Sequence, residues 1–152
     1  MTTTQTTPTI RNAGTKPTTP RKLFINIPVR DLQRSIDFFE TLGFTFNPQF
    51  TDANATCMLV GEDAYVMLLA MDYFKSFSKR PVGDPQRETN ALLALTVNSR
   101  DEVNALVDKA INAGGSLAAD PQDHGFMYSW SFYDPDGHHW EVFWMDPNSI
   151  NG

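Results

Sequence analysis

Residues 134–144 read Asp-Pro-Asp-Gly-His-His-Trp-Glu-Val-Phe-Trp, and this stretch decides how the rest of the sequence is interpreted. Its first four residues are typical of a tight turn, because proline presets φ while aspartate and glycine suit the neighbouring positions. The aromatic and β-branched residues that follow predict a strand. Side chains alternate along a strand, so we expect His139, Glu141 and Phe143 on one face. A carboxylate in so apolar a strand is costly to bury without a partner, which makes Glu141 the first candidate functional residue.

The composition predicts one globular domain of ordinary size. The chain has 152 residues, and 41% of them are hydrophobic, which is enough for a real core. The sequence has no apolar run long enough to span a membrane and no apolar secretory signal near its start, so we expect no membrane partner. Cys57 is the only cysteine, which excludes an internal disulfide and fits a reducing, cytoplasmic location.

The charge is unevenly distributed along the chain. Residues 1–22 hold 4 of the 12 basic residues and no acidic one, so the remainder carries 8 basic against 18 acidic residues. An acidic body argues against nucleic acid as a partner, because phosphates need a basic surface. It would suit a cationic small molecule, although acidity serves solubility in most domains. Residues 1–20 are also rich in threonine and proline, which predicts a disordered tail.

The first half of the domain is predicted to contain one strand, one helix and three further strands. Residues 22–29 form the first strand candidate, and Pro28 indicates an edge strand or a strand end. Asp31 is a candidate N-cap for a helix whose apolar spacing continues to Leu42, with Gly43 as its C-cap. The three strand candidates that follow are residues 44–50, 55–60 and 64–70.

The same order of elements then repeats after a break. Residues 72–90 contain scattered prolines and glycines and are interpreted as a linker. A strand is predicted at 91–97, and Ser99 with Glu102 forms a candidate capping box at the start of a helix. That helix ends before two glycines and is followed by strand candidates at 116–119, 126–133 and 138–144. The result is a coarse internal repeat in which Val97 corresponds to Val29.

Two such modules closed by the Asp-Pro-Asp-Gly-His-x-Trp-Glu motif resemble the vicinal oxygen chelate superfamily. That superfamily includes glyoxalase I, bleomycin resistance proteins and extradiol dioxygenases. The segment 29–39, followed by Leu42-Gly43-Phe44, is similar to the first helix of glyoxalase-like members. The resemblance covers about residues 22–146 and is strongest to lactoylglutathione lyase-related proteins.

The resemblance implies an α+β fold in which two βαβββ modules form a half-open barrel around a pocket. The domain boundaries that follow are a tail at 1–20, a glyoxalase-like domain at 21–146 and a C-terminal tail at 147–152. Within the domain, module one covers 21–71, the linker 72–90 and module two 91–146.

The resemblance also identifies the positions at which metal enzymes of the superfamily hold their cation. Those enzymes take one ligand from the first and last strand of each module. Here these four positions are Phe24, Met67, Leu92 and Glu141. Only Glu141 offers a ligand that suits a hard divalent cation. Metal-dependent lactoylglutathione lyase activity is therefore not expected, because no cation would polarise the enediolate oxygens.

Glu141 is the candidate catalytic residue, either as a pocket base or as the one retained ligand if a metal is present. Its alternative role is a strand carboxylate paired with a backbone amide or an arginine. The candidate ligand-binding residues are Phe24, Asn26, Tyr65, Met67, Leu92, His124, His139 and Phe143. The alternative is a hydrogen-bonded strand histidine for His139, a simple connecting role for His124, and core packing for Tyr65 and the apolar residues. The apolar members would suit an aromatic or lipophilic ligand, as they would suit an ordinary barrel core.

Three functions follow from this pattern. The first is a cofactor-free binding protein, akin to bleomycin resistance proteins, that holds a small apolar or aromatic molecule. The second is a metal-dependent lyase, isomerase or dioxygenase that uses Glu141 with non-standard ligands such as His139 and Asn26. The third is a metal-free acid–base enzyme. In each case we expect a homodimer, with candidate contacts at Phe74, Phe77, Trp140 and Trp144, of which the two tryptophans are alternatively core residues.

Overall fold

The computed structural model describes residues 5–149, so the predictions for residues 1–4 and 150–152 lie outside the described chain. Residues 5–20 are exposed and contain no helix or strand. The first module contains β1 Leu23–Val29, α1 Leu32–Thr41, β2 Thr45–Asn47, β3 Ala55–Leu59 and β4 Ala64–Ala70. Its strands lie in the order β1-β4-β3-β2, with β1 parallel to β4.

The second module repeats this arrangement after a short helix, α2 Met71–Lys75, and an irregular segment. It contains β5 Leu92–Thr96, α3 Arg100–Asn112, β6 Ser116–Leu117, β7 Gln122–Asp123, β8 Met127–Tyr133 and β9 His139–Met145. Its strands lie in the order β5-β9-β8-β6, and β7 pairs with β8. The α+β class and the two βαβββ modules are therefore confirmed, and the two sheets do not close into a barrel.

The structure corrects two strand predictions. The strand predicted at 44–50 ends at Asn47, whose side chain accepts a hydrogen bond from the Gln49 amide at 2.9 Å and starts a 3₁₀ turn, Pro48–Phe50. Strand β7 was not predicted, because two residues are too few to show alternation. Pro28 does lie in an edge strand, since β1 has β4 as its single neighbour in the sheet.

The helix ends largely follow the predicted caps. Asp31 accepts a hydrogen bond from the Arg34 amide at 3.1 Å, and Gly43, after the last turn of α1, has φ of 100°. At α3 the Ser99 hydroxyl accepts from the Glu102 amide at 3.1 Å, as expected. The reciprocal bond differs from the prediction, because the Glu102 carboxylate accepts from the Asn98 amide at 2.9 Å.

One hydrophobic core joins the two modules. Phe38 of α1 packs against Phe132 of β8, with ring centroids 6.1 Å apart, and Phe39 packs against Trp140 of β9 at 5.1 Å. Trp140 is only 2% exposed, so the prediction that it contacts a second subunit is wrong. Helices α1 and α3 both bury their apolar sides in this core. No helix within residues 5–149 is long and apolar enough to cross a membrane.

Candidate functional site

The Asp-Pro-Asp-Gly turn is held together by Asp134. This carboxylate is buried and accepts hydrogen bonds from the amides of Asp136 at 2.9 Å and His138 at 3.1 Å. It also accepts from the indole nitrogen of Trp140 at 3.0 Å. Burial raises the pKa of Asp134, against the opposing effects of the His138 charge and of the hydrogen bonds from Trp140 and His138. The turn is thus anchored to the start of β9 and to the shared core.

Asp136 connects the turn of module two to module one, and we call this contact the latch. Its carboxylate accepts from the Arg30 amide at 2.9 Å and from the Arg30 and Arg34 guanidinium groups at 3.3 Å each. It also accepts from the Ser35 hydroxyl at 3.3 Å, and it is only 1% exposed. The two segments that carry the family resemblance, 29–39 and 134–141, are therefore in direct contact.

His138 adds a second contact between the modules. Its ring nitrogen Nε2 lies 2.7 Å from the Pro28 carbonyl oxygen at the end of β1. The latch was not predicted from the sequence, where Glu141 was the carboxylate that stood out. The sequence does contain the acid, Asp136, and the two arginines, Arg30 and Arg34. It does not show that they pair, because they lie about one hundred positions apart and no local pattern joins them.

A cavity of about 340 Å³ lies beside the latch, between the two modules, and we call it the inter-module cavity. Strand β1 contributes Ile25–Pro28 to its wall, β5 contributes Leu93, and the turn contributes Gly137–His139. The remaining wall comes from α2, from the rest of the segment predicted as a linker at 72–90, and from Ala91, which follows that linker. Those wall residues are Phe74, Ser78, Pro81, Val82, Gly83, Pro85, Glu88, Thr89, Asn90 and Ala91.

Gly137 determines how closely the linker approaches the turn. Its φ is 98°, a conformation that side chains disfavour. A Cβ atom at this position would meet the Pro85 carbonyl oxygen at 2.8 Å and the Gln86 Cα at 2.9 Å. The linker therefore packs directly on the turn, and glycine is required there for both reasons.

His139 and Glu141 form the polar pair that the strand alternation predicted on one face. His139 Nε2 lies 2.8 Å from Glu141 Oε1, and the two side chains are 13% and 27% exposed. Tyr133 packs edge-on against the imidazole, with ring centroids 5.5 Å apart. Because Glu141 engages Nε2, Nδ1 is the ring nitrogen left for another hydrogen bond.

Of the eight predicted ligand-binding residues, Asn26 and His139 line the inter-module cavity. Phe24 instead stacks on Tyr65, with ring centroids 4.6 Å apart, while Met67 pairs with Asn26 in the sheet register. Leu92 pairs with His139 in register and is 57% exposed.

The last two predicted residues, His124 and Phe143, lie outside the cavity wall. The six residues outside the wall, like the catalytic role of Glu141, stay predictions.

His124 lies in an exposed loop that Arg100 holds in place. The Arg100 guanidinium pairs with Asp123, donates to the Gly125 carbonyl at 2.8 Å, and lies 5.1 Å from the centre of the Trp144 ring. The hydrogen bond from Arg100 lowers the pKa of Asp123, and the Gly125 amide contributes in the same direction.

The four positions that hold a cation in metal enzymes of the superfamily do not fit one here. Phe24, Met67 and Leu92 supply no hard ligand, and the Glu141 carboxylate is engaged by His139. The Asn26 amide is directed to the Phe24 carbonyl oxygen at 3.4 Å. No group of three or more histidine, cysteine, aspartate or glutamate side chains suited to a metal occurs within residues 5–149.

Paired βαβββ modules joined through this turn define the class, a two-module α+β fold of the glyoxalase type. The family model of the Glyoxalase/Bleomycin resistance protein/Dioxygenase superfamily matches residues 23–142, and the chain belongs to that superfamily. The predicted membership of the vicinal oxygen chelate superfamily is thereby confirmed.

Solved structures share the fold. Hypothetical protein SA1046 from S. aureus is 28% identical, with a TM-score of 0.70, over 80% of this chain and 91% of that one. A glyoxalase-related enzyme from Fulvimarina pelagi is 23% identical, with a TM-score of 0.68, over 80% and 85%. The fosfomycin resistance protein FosX from Mesorhizobium loti is 17% identical, with a TM-score of 0.59, over 83% and 92%. The latter two show the fold alone. Among curated proteins, none matches the sequence.

Proposed function

We propose that the protein binds a small apolar or aromatic molecule in the inter-module cavity, where Asn26 and His139 orient it. The cavity itself is the observation that carries this proposal. Its volume of about 340 Å³ falls within the usual range for small-molecule sites, roughly 300–1,000 Å³. Its wall is mainly apolar, with Ile25, Ile27 and Leu93 from the strands and Phe74 and Val82 from α2 and the linker.

Among the polar side chains of the cavity wall, His139 is held in place by a hydrogen bond, and a fixed polar group of this kind can orient a ligand. The imidazole of His139 is held by Glu141 at 2.8 Å. Asn26 approaches from the other module, on β1. A ligand with an apolar body and one hydrogen-bonding group would match both the apolar wall and these two polar side chains. A metal-dependent function is less well supported, because Phe24, Met67 and Leu92 supply no ligand that suits a divalent cation.

The proposal includes a homodimer in the cytoplasm. Strands β1 and β5 are edge strands within the described chain, and they expose Leu23 by 62%, Phe24 by 45% and Leu92 by 57%. Phe77 is 68% exposed and packs on Tyr73. Exposed apolar groups along two sheet edges favour contact with a second copy. Light scattering at several concentrations tests this, and a monomer at all of them would refute the dimer.

The binding proposal is tested with a neutral aromatic probe, benzyl alcohol, followed by amide NMR shifts and thermal denaturation. We expect saturable shifts at Asn26 and His139 and a raised melting temperature. The variant Ala91→Phe narrows the cavity and should abolish these effects. Ala105→Phe, on the exposed side of α3, is the matched control and should retain them. Equal binding by both variants would refute the proposed site.

A metal measurement separates this function from the metal-dependent alternative. Protein purified without chelator is analysed for nickel, zinc, manganese and iron, in parallel with the variant Glu141→Gln. We expect the same low content in both. About one metal ion per chain, lost in Glu141→Gln, would contradict the proposed function and favour a metalloenzyme.

A further inference from the structure

We infer that the inter-module cavity selects ligands that carry a positive charge, such as aromatic amines, and that Glu88 is the countercharge. This inference rests on the proposed function and specifies the class of its ligand.

Within the described residues, the wall of the cavity carries one carboxylate, that of Glu88, and no lysine or arginine. The two wall histidines are engaged, His138 with the Pro28 carbonyl at 2.7 Å and His139 with Glu141 at 2.8 Å. Glu141 places a second carboxylate behind His139. An anionic ligand would therefore meet the Glu88 carboxylate and, in this part of the described chain, no lysine or arginine.

The basic residues of the linker lie outside the wall of the inter-module cavity. Lys79 and Arg80 are exposed and are not part of the cavity wall. Arg87 is not part of that wall either; it lines a neighbouring cleft with Tyr133 and Asp134, and Glu88 contributes to this cleft as well. Within residues 5–149, the ion pairs of arginine involve Asp123 and Asp136, and Glu88 takes part in none of them. Its charge is thus available to a ligand.

The position of Glu88 is fixed by its own turn and by the turn of module two. The amides of Arg87 and Glu88 donate to the Asp84 carbonyl at 3.0 Å and 2.9 Å, and the Asp84 carboxylate accepts from the Gln86 amide at 3.0 Å. The preceding Pro85 lies against Gly137. The carboxylate is therefore carried on an ordered segment beside the apolar wall of Phe74 and Val82.

The experiment compares three probes of similar shape and different charge: benzylamine, benzyl alcohol and benzoate. Their dissociation constants are measured by NMR titration of the full chain at pH 7 and low salt. We expect benzylamine to bind most tightly and benzoate most weakly. Because Glu88 is exposed, the expected advantage of the amine is about two- to fivefold, and it should disappear near 1 M salt.

The variant Glu88→Gln tests the assigned residue. It should weaken benzylamine binding by about two- to fivefold and leave benzyl alcohol unchanged. The matched control Glu40→Gln, an exposed acid on α1 outside the cavity, should change neither. If benzyl alcohol binds but benzylamine has no advantage, or if Glu88→Gln has no effect, the inference is overturned and the proposed function stands. If none of the probes binds, the proposed function fails and the inference with it.

Discussion

Replacing Asp136 with alanine should destabilise the whole domain, because this carboxylate joins the two modules. The residue is 1% exposed and accepts four hydrogen bonds, from the Arg30 amide, the two guanidinium groups and the Ser35 hydroxyl. In Asp136→Ala the buried Ser35 hydroxyl would lose its partner, and so would the part-buried Arg30 amide.

The size of the effect follows from those two groups more than from the ion pairs. Each polar group left without a partner in a buried site costs about 1–3 kcal/mol. The Arg30 and Arg34 side chains are 49% and 45% exposed, so water replaces their lost partner and each adds at most about 1 kcal/mol. We therefore expect the free energy of unfolding to fall by about 3–5 kcal/mol. Asp136→Asn keeps one acceptor oxygen and should cost about half as much.

Urea denaturation followed by circular dichroism measures the loss, with Asp108→Ala as the control. Asp108 is exposed on α3 and should change the stability by less than about 0.5 kcal/mol. A second probe, tryptophan fluorescence, shows whether the two modules still unfold together, because Trp130, Trp140 and Trp144 all lie in module two. If Asp136→Ala and Asp108→Ala unfold at the same urea concentration, the latch does not contribute to stability and the reasoning above is wrong.

Two further predictions concern the turn and the Arg100 contact. Gly137→Ala should destabilise the protein more than Gly43→Ala. Both positions have φ near 100°, so each substitution costs about 1–3 kcal/mol in backbone strain. In addition, a Cβ atom at Gly137 would lie 2.8 Å from backbone, whereas a Cβ atom at Gly43 would have nothing within 4 Å. Equal losses in thermal denaturation would show that the linker does not press on the turn. The pKa of Asp123 is lowered by Arg100, so NMR titration should place its midpoint below the ordinary value and Arg100→Gln should move it upward. Since the pKa of Asp123 is lower in the folded state than in the unfolded state, the stabilisation from this pair is present above the unfolded pKa. It is lost as the pH falls toward the folded pKa. An unchanged midpoint in Arg100→Gln would refute the role assigned to Arg100.

The fold could be predicted because its signals are local or repeated. The apolar spacing of α1 and α3, the caps at Asp31 and Ser99 and the turn at 134–137 each depend on residues a few positions apart. The repeat of the element order then predicts that the chain contains two similar modules. The errors lie where local signals are weak, namely at β7, which has two residues, and at the end of β2, where Asn47 and Pro48 replace the strand with a 3₁₀ turn.

The candidate site was less predictable because it is built from distant segments. Alternation correctly placed His139 and Glu141 on one face, since that rule needs only a strand. It could not show that the linker closes a cavity over Asn26, because the linker has no periodic pattern. Strand alternation also gives no information on Asp136, because its partners lie in the other module and its burial arises only when the chain folds.

The position of the cavity explains why family membership leaves the ligand open. The resemblance is carried by residues 29–39 and 134–141, and the structure shows that these segments hold the modules together through Asp136 and His138. Of these two segments, 134–141 contributes Gly137–His139 to the cavity wall, whereas 29–39 contributes none of it. About half of the wall residues belong to the linker, including Glu88, which the family motif does not specify. A change of linker sequence could therefore alter which molecule is bound while the latch, and with it the fold, stays the same.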